Sequence, residues 1–319
     1  MEIIFSRDKH HIDTSKGMGI VLGNFDGVHL GHVELIKRVI NTCKKNNLKS
    51  MLYTFSNHPE NIIAGKIVIP LITTNRIKAK ILAAYDLNYL YFDEFNESLM
   101  KMNPIDFVEK VLVDQFNVKA VTVGFHYHFG YQGKGDANLL RILGREYGFG
   151  VDVVEPIKLG DTIVSSTVIR NLIKEGNVEQ ASKFLGRKYT ISGKVVRGKN
   201  LGNKIGFPTI NLLPNDYLVL PSKGVYITNT IINDCIFYSV TNVGENPTID
   251  EDGIRIETHV LNFKGDLYDS DVAVQFIKKI RDEKKFNSIS DLSKQIAKDV
   301  QFTYEYFNCK GIYNKINMC

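Results

Sequence analysis

The stretch Gly23-Asn24-Phe25-Asp26-Gly27-Val28-His29-Leu30-Gly31-His32 decides how the first half of this chain folds. It follows a short apolar run at 20–22 and opens a segment in which Val33, Leu35, Ile36, Val39 and Ile40 recur at helical spacing. A glycine-rich turn between a strand and a helix is a place to hold phosphate. Glycines let backbone N–H groups approach an anion, and the helix N-terminus adds partial positive charge. The turn fits neither G-x-G-x-x-G nor the P-loop pattern, so a dinucleotide dehydrogenase and a P-loop kinase both lose their fingerprint. It offers two imidazoles instead, His29 and His32, which can donate hydrogen bonds to a phosphoryl group as charge develops on it. Surface or capping histidines are the plain alternative. A zinc site is the other, but no third ligand stands at a recognisable spacing.

Outward from this turn, apolar runs at 51–55, 89–92, 120–123 and 151–154 alternate with segments of helical period, one face marked by Ile77, Ile81 and Leu82 and another helix starting near Pro104. That alternation predicts a parallel sheet flanked by helices. After residue 155 come short helical segments at 166–174 and 178–185. The character then changes to strands at 189–196, 224–230, 236–243, 254–261 and 272–280, separated by Gly, Asn and Pro, which predicts a small antiparallel barrel. Leu292, Ile296, Val300 and Phe307 mark a closing helix. A length of 319 residues suits two domains, and the expected division is 1–184 and 185–319.

Composition narrows the partners. With 44% hydrophobic and 24% charged residues the chain is ordinary and globular, and a net charge of +5 without a basic run gives no sign of nucleic-acid binding. The 4 cysteines form no Cys-x-x-Cys pair. There is no export signal and no window of ~18 apolar residues, so a reducing cytoplasm is the expected setting, with no membrane partner.

Three further segments carry chemistry. Ser165-Ser166-Thr167-Val168-Ile169-Arg170 opens a helix, where hydroxyls can cap and Arg170 can pair with phosphate. Between 193 and 212, glycines and lysines precede Pro208-Thr209-Ile210-Asn211. If this part is extended, Thr209 and Asn211 point the same way and can offer neutral oxygens to Mg²⁺. In the strand at 255–260, Ile256, Thr258 and Val260 share one face and Arg255, Glu257 and His259 the other. Such a face is commonly just solvated, but a carboxylate opposite a Mg-nucleotide loop suits a kinase base, and Glu257 is the candidate.

His-x-Gly-His after the first strand and S-S-T-V-I-R near the end of the sheet resemble the nucleotidylyltransferase superfamily. With T-F-x-x-H-P at 54–59, T-T-x-R-x-x-x-x-x-L at 73–82, G-F-P-T-I-N-L at 206–212, G-V-Y at 224–226, N-V-G-E-N-P-T at 242–248, E-T-H-V-L-N-F-K-G-D-L-Y at 257–268 and I-R-D-E-K-K-F at 280–286, nearly the whole chain resembles the prokaryotic bifunctional riboflavin kinase/FMN adenylyltransferases, or FAD synthetases. The resemblance implies a Rossmann-like nucleotidylyltransferase domain followed by a riboflavin kinase barrel. It implies riboflavin, FMN, ATP and FAD as partners, ATP as co-substrate and Mg²⁺ as cofactor.

In the first domain, Gly23, Asn24, Phe25, Asp26, Gly27, His29, Gly31 and His32, with Ser165, Ser166, Thr167 and Arg170, would hold ATP. FMN would dock near Asn57, His58, Pro59, His126 and His128. In the second, Gly193, Lys199, Lys204, Gly206, Phe207, Pro208, Thr209, Asn211 and Asn242 would hold ATP or flavin, Thr209 and Asn211 beside Mg²⁺, Arg281 at the flavin end and Glu257 as base. The chain departs from the family pattern on the FMN side. Ser56-Asn57 stand where an acidic residue and Pro are usual, and His126 and His128 where Asp or Asn and Arg are usual. A kinase-only chain and a non-catalytic flavin or nucleotide sensor remain the alternatives.

Overall fold

The computed structural model describes residues 1–8, 12–198, 201–214, 217–245 and 254–309. By packing, the chain divides into two compact units, residues 1–166 and 167–319. The division expected from sequence, 184/185, lies at the C-terminal end of α8 (Val178–Leu185), ahead of β9 (Tyr189–Val196), and α8 packs on barrel strands of the second unit.

Strands covered by helices on both faces need continuous apolar runs rather than alternation. β2 (Met18–Leu22) is buried at every position, and β3 (Lys49–Phe55) at all but its ends. With β1 (Glu2–Phe5), β4 (Tyr89–Asp93), β5 (Val118–Gly124) and β6 (Gly150–Val154), they form one parallel sheet in the order β1-β4-β3-β2-β5-β6. Val21, Leu52 and Leu90 face α1 (Leu30–Asn46), which returns Leu35, Ile36 and Val39. Ile20, Leu22, Met51 and Tyr53 face the other layer. That layer is built from α5 (Pro104–Asp106), which continues as π-helical turns over Phe107–Gln115, and from α6 (Ala137–Tyr147). The shorter α2 (Pro59–Ala64), α3 (Asn75–Leu82) and α4 (Glu97–Lys101) fill the connections. Chain order reverses between β2 and β5. In an open sheet of this kind the crevice beyond the carboxyl ends at that reversal is where ligands bind. A small hairpin, β7 (Lys158–Leu159) and β8 (Thr162–Ile163), precedes α7 (Ser166–Lys174).

In the second unit, β9 and the strands β10 (Ile210–Leu212), β11 (Gly224–Ile232), β12 (Cys235–Glu245), β13 (Ile254–Val260) and β14 (Asp271–Arg281) close a barrel in the order β10-β13-β12-β11-β14-β9. All its ladders are antiparallel. Its interior holds a chain of buried hydroxyls. Thr230 donates to Ser239 at 2.8 Å, Ser239 and Thr228 lie 2.8 Å apart, Thr228 and Thr241 2.7 Å, and Thr241 and Thr258 2.9 Å. A fully bonded network of this kind fixes strand register, because a slip strands every member without a partner. The last helix, α10 (Ile289–Cys309), lies on the outer wall, where Phe307 stacks on Tyr238 at 3.6 Å beside Ile227, Leu261 and Ile277.

Candidate active sites

The turn after β2 is held in an unusual form. Phe25 (φ 47°) and Val28 (φ 39°) occupy the left-handed region without being glycine, a strain of roughly 1–3 kcal/mol each. Both side chains are completely buried, so the core holds the strain in place. Gly27 shares that conformation at φ 82°, and a Cβ there would come within 3.0 Å of Ile72. The Asp26 carboxylate accepts from Ile72 N at 2.9 Å and Thr73 N at 3.1 Å. It anchors the turn to the 72–73 backbone, and the Phe25 side chain is core. The Asp26 carbonyl accepts from Ser166 Oγ at 2.9 Å, which ties Ser166 to the turn.

His29 is the N-cap of α1 in place of the usual Ser or Asp. Its Nδ1 accepts from His32 N at 3.3 Å, and His32 Nδ1 accepts from His29 N at 3.4 Å, with the two rings stacked 3.6 Å apart. This reciprocal cap sets the tautomers. Each Nδ1 is an acceptor, so in the neutral ring each proton resides on Nε2, which makes Nε2 a hydrogen-bond donor. A Cβ at Gly31 would lie 3.2 Å from the His29 ring, which is why the motif needs glycine there. Thr167 and Arg170 follow Ser166 on the first turns of α7, with Arg170 buried.

At the switch-point crevice a cavity of about 490 Å³ opens between the turns after β2 and β5. Phe55, Phe95, Phe107 and Phe129 give it aromatic walls, and Gly23, Asn24, Pro59, His126 and His128 also line it. His128 Nδ1 donates to the Gly133 carbonyl at 3.1 Å. Asn57 and His58 line a smaller neighbouring pocket. Asn57 clamps Phe95, accepting from its N–H at 2.9 Å and donating to its carbonyl at 3.0 Å. It acts on the cavity through an aromatic wall. That role needs an amide, which explains why this position carries Asn.

In the barrel, strand register gathers the second site. Asn211 and Asn242 flank Glu257 on either side, Val225 pairs with Asn242, and Arg281 pairs with Val225. Glu257 lies on the outward face of β13 and Thr258 in the interior, as the alternation predicts. A cavity of about 340 Å³ runs along this outer wall beneath α10, lined by Phe207, Thr209, Asn242, Glu257, His259 and Arg281 among others. His259 Nδ1 donates to the Pro208 carbonyl at 2.7 Å and meets the Phe207 ring edge-on at 5.5 Å, which fixes the start of β10. Burial holds the His259 imidazole below its usual range, the Pro208 bond opposing in part, so it is neutral at neutral pH. Asn211 is buried, and its Oδ1 has no hydrogen-bond partner among the described residues.

Other residues read from sequence sit elsewhere. Gly193 lies within β9 opposite Val272, outside the cavity lining, with the Leu213 carbonyl where a Cβ would be crowded at 3.1 Å. Gly206 is a positive-φ turn (85°) before Phe207. Lys199 lies outside the described residues, as does the side chain of Lys204, the last residue of α9 (Leu201–Lys204). The Arg281 guanidinium, although it lines the cavity, is engaged by Asp299 of α10. It donates from Nε to both carboxylate oxygens at 3.1 Å and from Nη2 to Oδ2 at 2.7 Å, while Gln295 adds a bond at 3.0 Å. Its first role is to lock the closing helix to β14. Sequence reading had no signal for Asp299, 18 residues away in another element. The pair is nearly buried, at 15% and 4% side-chain exposure. Asp299→Ala, leaving a buried guanidinium uncompensated, is expected to cost about 3–5 kcal/mol, read as a drop in the unfolding midpoint of the second unit.

Comparison with known proteins gives a family model described as FAD synthetase over residues 11–168 and one described as riboflavin kinase over residues 185–307. The chain belongs to the bifunctional riboflavin kinase/FMN adenylyltransferase family. Relatives of that name include one from Escherichia coli (strain K12), 34% identical over 304 residues, covering 94% of this chain and 97% of the relative. Another, from Bacillus subtilis (strain 168), is 32% identical over 317 residues, covering 97% and 99%. A crystal structure described as a macrolide-efflux protein from Streptococcus pneumoniae matches with a TM-score of 0.86 and 30% identity, over 95% of this chain and 99% of that one. The shared fold is what that likeness carries. Among the described residues no helix is long and apolar enough to cross a membrane. Both family domains are present, so neither half of the chain stands outside the bifunctional family, and ATP is its co-substrate.

Proposed function

We propose that the outer-wall cavity of the barrel phosphorylates riboflavin and that the switch-point cavity of the sheet adenylylates the FMN formed, with the catalytic domains dividing at 184/185, where the second family model begins. In the barrel, Glu257 accepts the proton of the riboflavin 5′-hydroxyl as its oxygen attacks the γ-phosphorus of ATP and ADP leaves. Asn211 Oδ1, buried and without a hydrogen-bond partner among the described residues, and Thr209, which precedes β10 and lines the cavity, are neutral oxygens of the kind Mg²⁺ takes. Bound there, Mg²⁺ would neutralise charge on the phosphates. Phe207, Pro208 and Asn242 shape the nucleotide and flavin ends, with Lys204 and Gly206 in the covering loop.

In the sheet domain an FMN phosphate oxygen attacks the α-phosphorus of ATP and pyrophosphate leaves. An ionised phosphate needs no base to remove a proton, so the protein's work is alignment and charge neutralisation. The Nε2 donors of His29 and His32 serve this, together with Ser165 and Ser166, and the family resemblance assigns Thr167 and Arg170 to the same triphosphate. The aromatic cavity suits a planar flavin. His126 and His128 line it and carry ring nitrogens able to bond the FMN phosphate. The His126→Asp, His128→Arg double variant is expected to shift KM for FMN several-fold with kcat for riboflavin phosphorylation unchanged.

The observation that carries the proposal is the ring of Asn211, Glu257 and Asn242 on adjacent strands of one barrel wall, alongside the two-histidine cap at the switch point of a separate sheet. Chromatography of flavins after incubation with Mg-ATP tests it. FAD is expected from either riboflavin or FMN. FMN accumulating from riboflavin, with FAD from neither, would leave the kinase alone.

A further inference from the structure

We propose that Lys78 is a positioning residue for adenylyl transfer, its buried ammonium fixing the Asn24 carbonyl and placing a positive charge beneath the turn that receives the nucleotide triphosphate. This rests on the adenylyl-transfer reading of that turn. On sequence alone Lys78 is one of several basic residues in a helical stretch, and nothing separates it from Arg76 or Lys80. In the fold it is 5% exposed while those neighbours face outward more. From α3 its Nζ reaches back to the Asn24 carbonyl at 2.9 Å and Thr54 Oγ1 at 3.3 Å, and Thr54 Oγ1 itself donates to the same carbonyl at 2.9 Å. The Phe92 ring lies 5.7 Å from the ammonium.

A buried ammonium is costly unless it is bonded or balanced. Here the balance is incomplete. Asp26, which also accepts from the 72–73 backbone, is the carboxylate acting on it; β3 and β4 contribute Thr54 and Phe92, and the His58 imidazole at the start of α2 lines the same pocket. Burial accordingly pushes the Lys78 ammonium down to about 8, Asp26 opposing. A positive charge kept at this cost, one hydrogen bond from a phosphate-binding turn, is stabilised further when a triphosphate arrives. By reciprocity the triphosphate binds better when Lys78 is charged.

The sign with pH follows. A group with a value of about 8 is about nine-tenths charged at pH 7 and about one-tenth at pH 9. In the wild-type protein, kcat/KM for ATP in FAD formation is therefore expected to fall several-fold from pH 7 to pH 9, while ATP and FMN stay ionised throughout. Lys78→Met, which keeps the apolar stem against Phe92 and removes the ammonium, is expected to lower kcat/KM for ATP about tenfold at pH 7, since small misplacements of a reactant cost that much. It should also flatten the pH profile and leave riboflavin phosphorylation unchanged. A folded Lys78→Met with wild-type kcat/KM for ATP overturns the proposal. Where the variant fails to fold, the wild-type profile decides, and a flat line from pH 7 to 9 overturns it equally. A wild-type protein that makes no FAD at all sinks the adenylyl-transfer reading and Lys78's role with it, which is distinct from FAD formed equally well by wild type and variant.

Discussion

Glu257→Gln is expected to lower riboflavin phosphorylation by about 10²–10⁴-fold, the contribution of a positioned general base, while FAD formation from supplied FMN stays at the wild-type rate. Gln keeps the size and hydrogen-bonding reach of the side chain but cannot take a proton. The change falls on a solvent-facing position of β13, with the buried Ile256 and Thr258 on the opposite face, so stability should move by no more than about 0.5 kcal/mol. Burial holds the neighbouring His259 imidazole below its usual range. Its Nδ1 proton is committed to Pro208. Parallel assays of FMN from riboflavin and FAD from FMN check the prediction. Equal loss of both activities would mean one shared site rather than two.

The second large effect is expected at the two-histidine cap. His29→Ala removes an N-cap and a phosphate donor together and so confounds stability with catalysis. His29→Asn separates them. Asn is among the best N-cap residues, so α1 should keep its start, while the imidazole Nε2 donor is lost. FAD formation is expected to fall about 10²–10³-fold, the cost of removing one preorganised donor from a charged transition state. Riboflavin phosphorylation and the unfolding midpoint should hold. If His29→Asn retained full FAD formation, the histidines would be caps and nothing more, which is the plain reading of His-x-x-His.

The division between what sequence shows and what it hides follows from physics in particular residues. β2, β3, β4 and β5 are legible as apolar runs because both faces of a parallel sheet are covered. β1 was not. It is a four-residue edge strand whose first two positions are exposed, and nothing in Glu2–Phe5 is periodic enough to predict it. Glu257 was legible because period-two alternation is enforced by the barrel wall, and the turn at 23–32 because glycine and histidine are rarely placed there without cause.

The resemblance places Asp26 among the ATP-binding residues, and its anchoring to Ile72 and Thr73, 46 and 47 residues away, is not legible in the sequence. Arg281 was assigned to the flavin end by resemblance, and its tight pairing with Asp299 depends on where α10 docks. Asn57 was a departure from a motif until its clamp on Phe95 gave it a reason. Long-range polar pairing leaves no periodic trace in a sequence, whereas burial and local conformation do.

The central claim is that two separate sites on one chain act in succession, and a mixing experiment tests it most directly. Glu257→Gln and His29→Asn proteins are incubated separately with riboflavin and Mg-ATP, then together. Separately, the first should form little flavin nucleotide and the second should stop at FMN. Together they should make FAD, because FMN released by the kinase site of one molecule can enter the intact adenylyltransferase site of the other. FAD absent from the mixture, while each variant retains its complementary activity on supplied substrate, would contradict transfer of free FMN between independent sites.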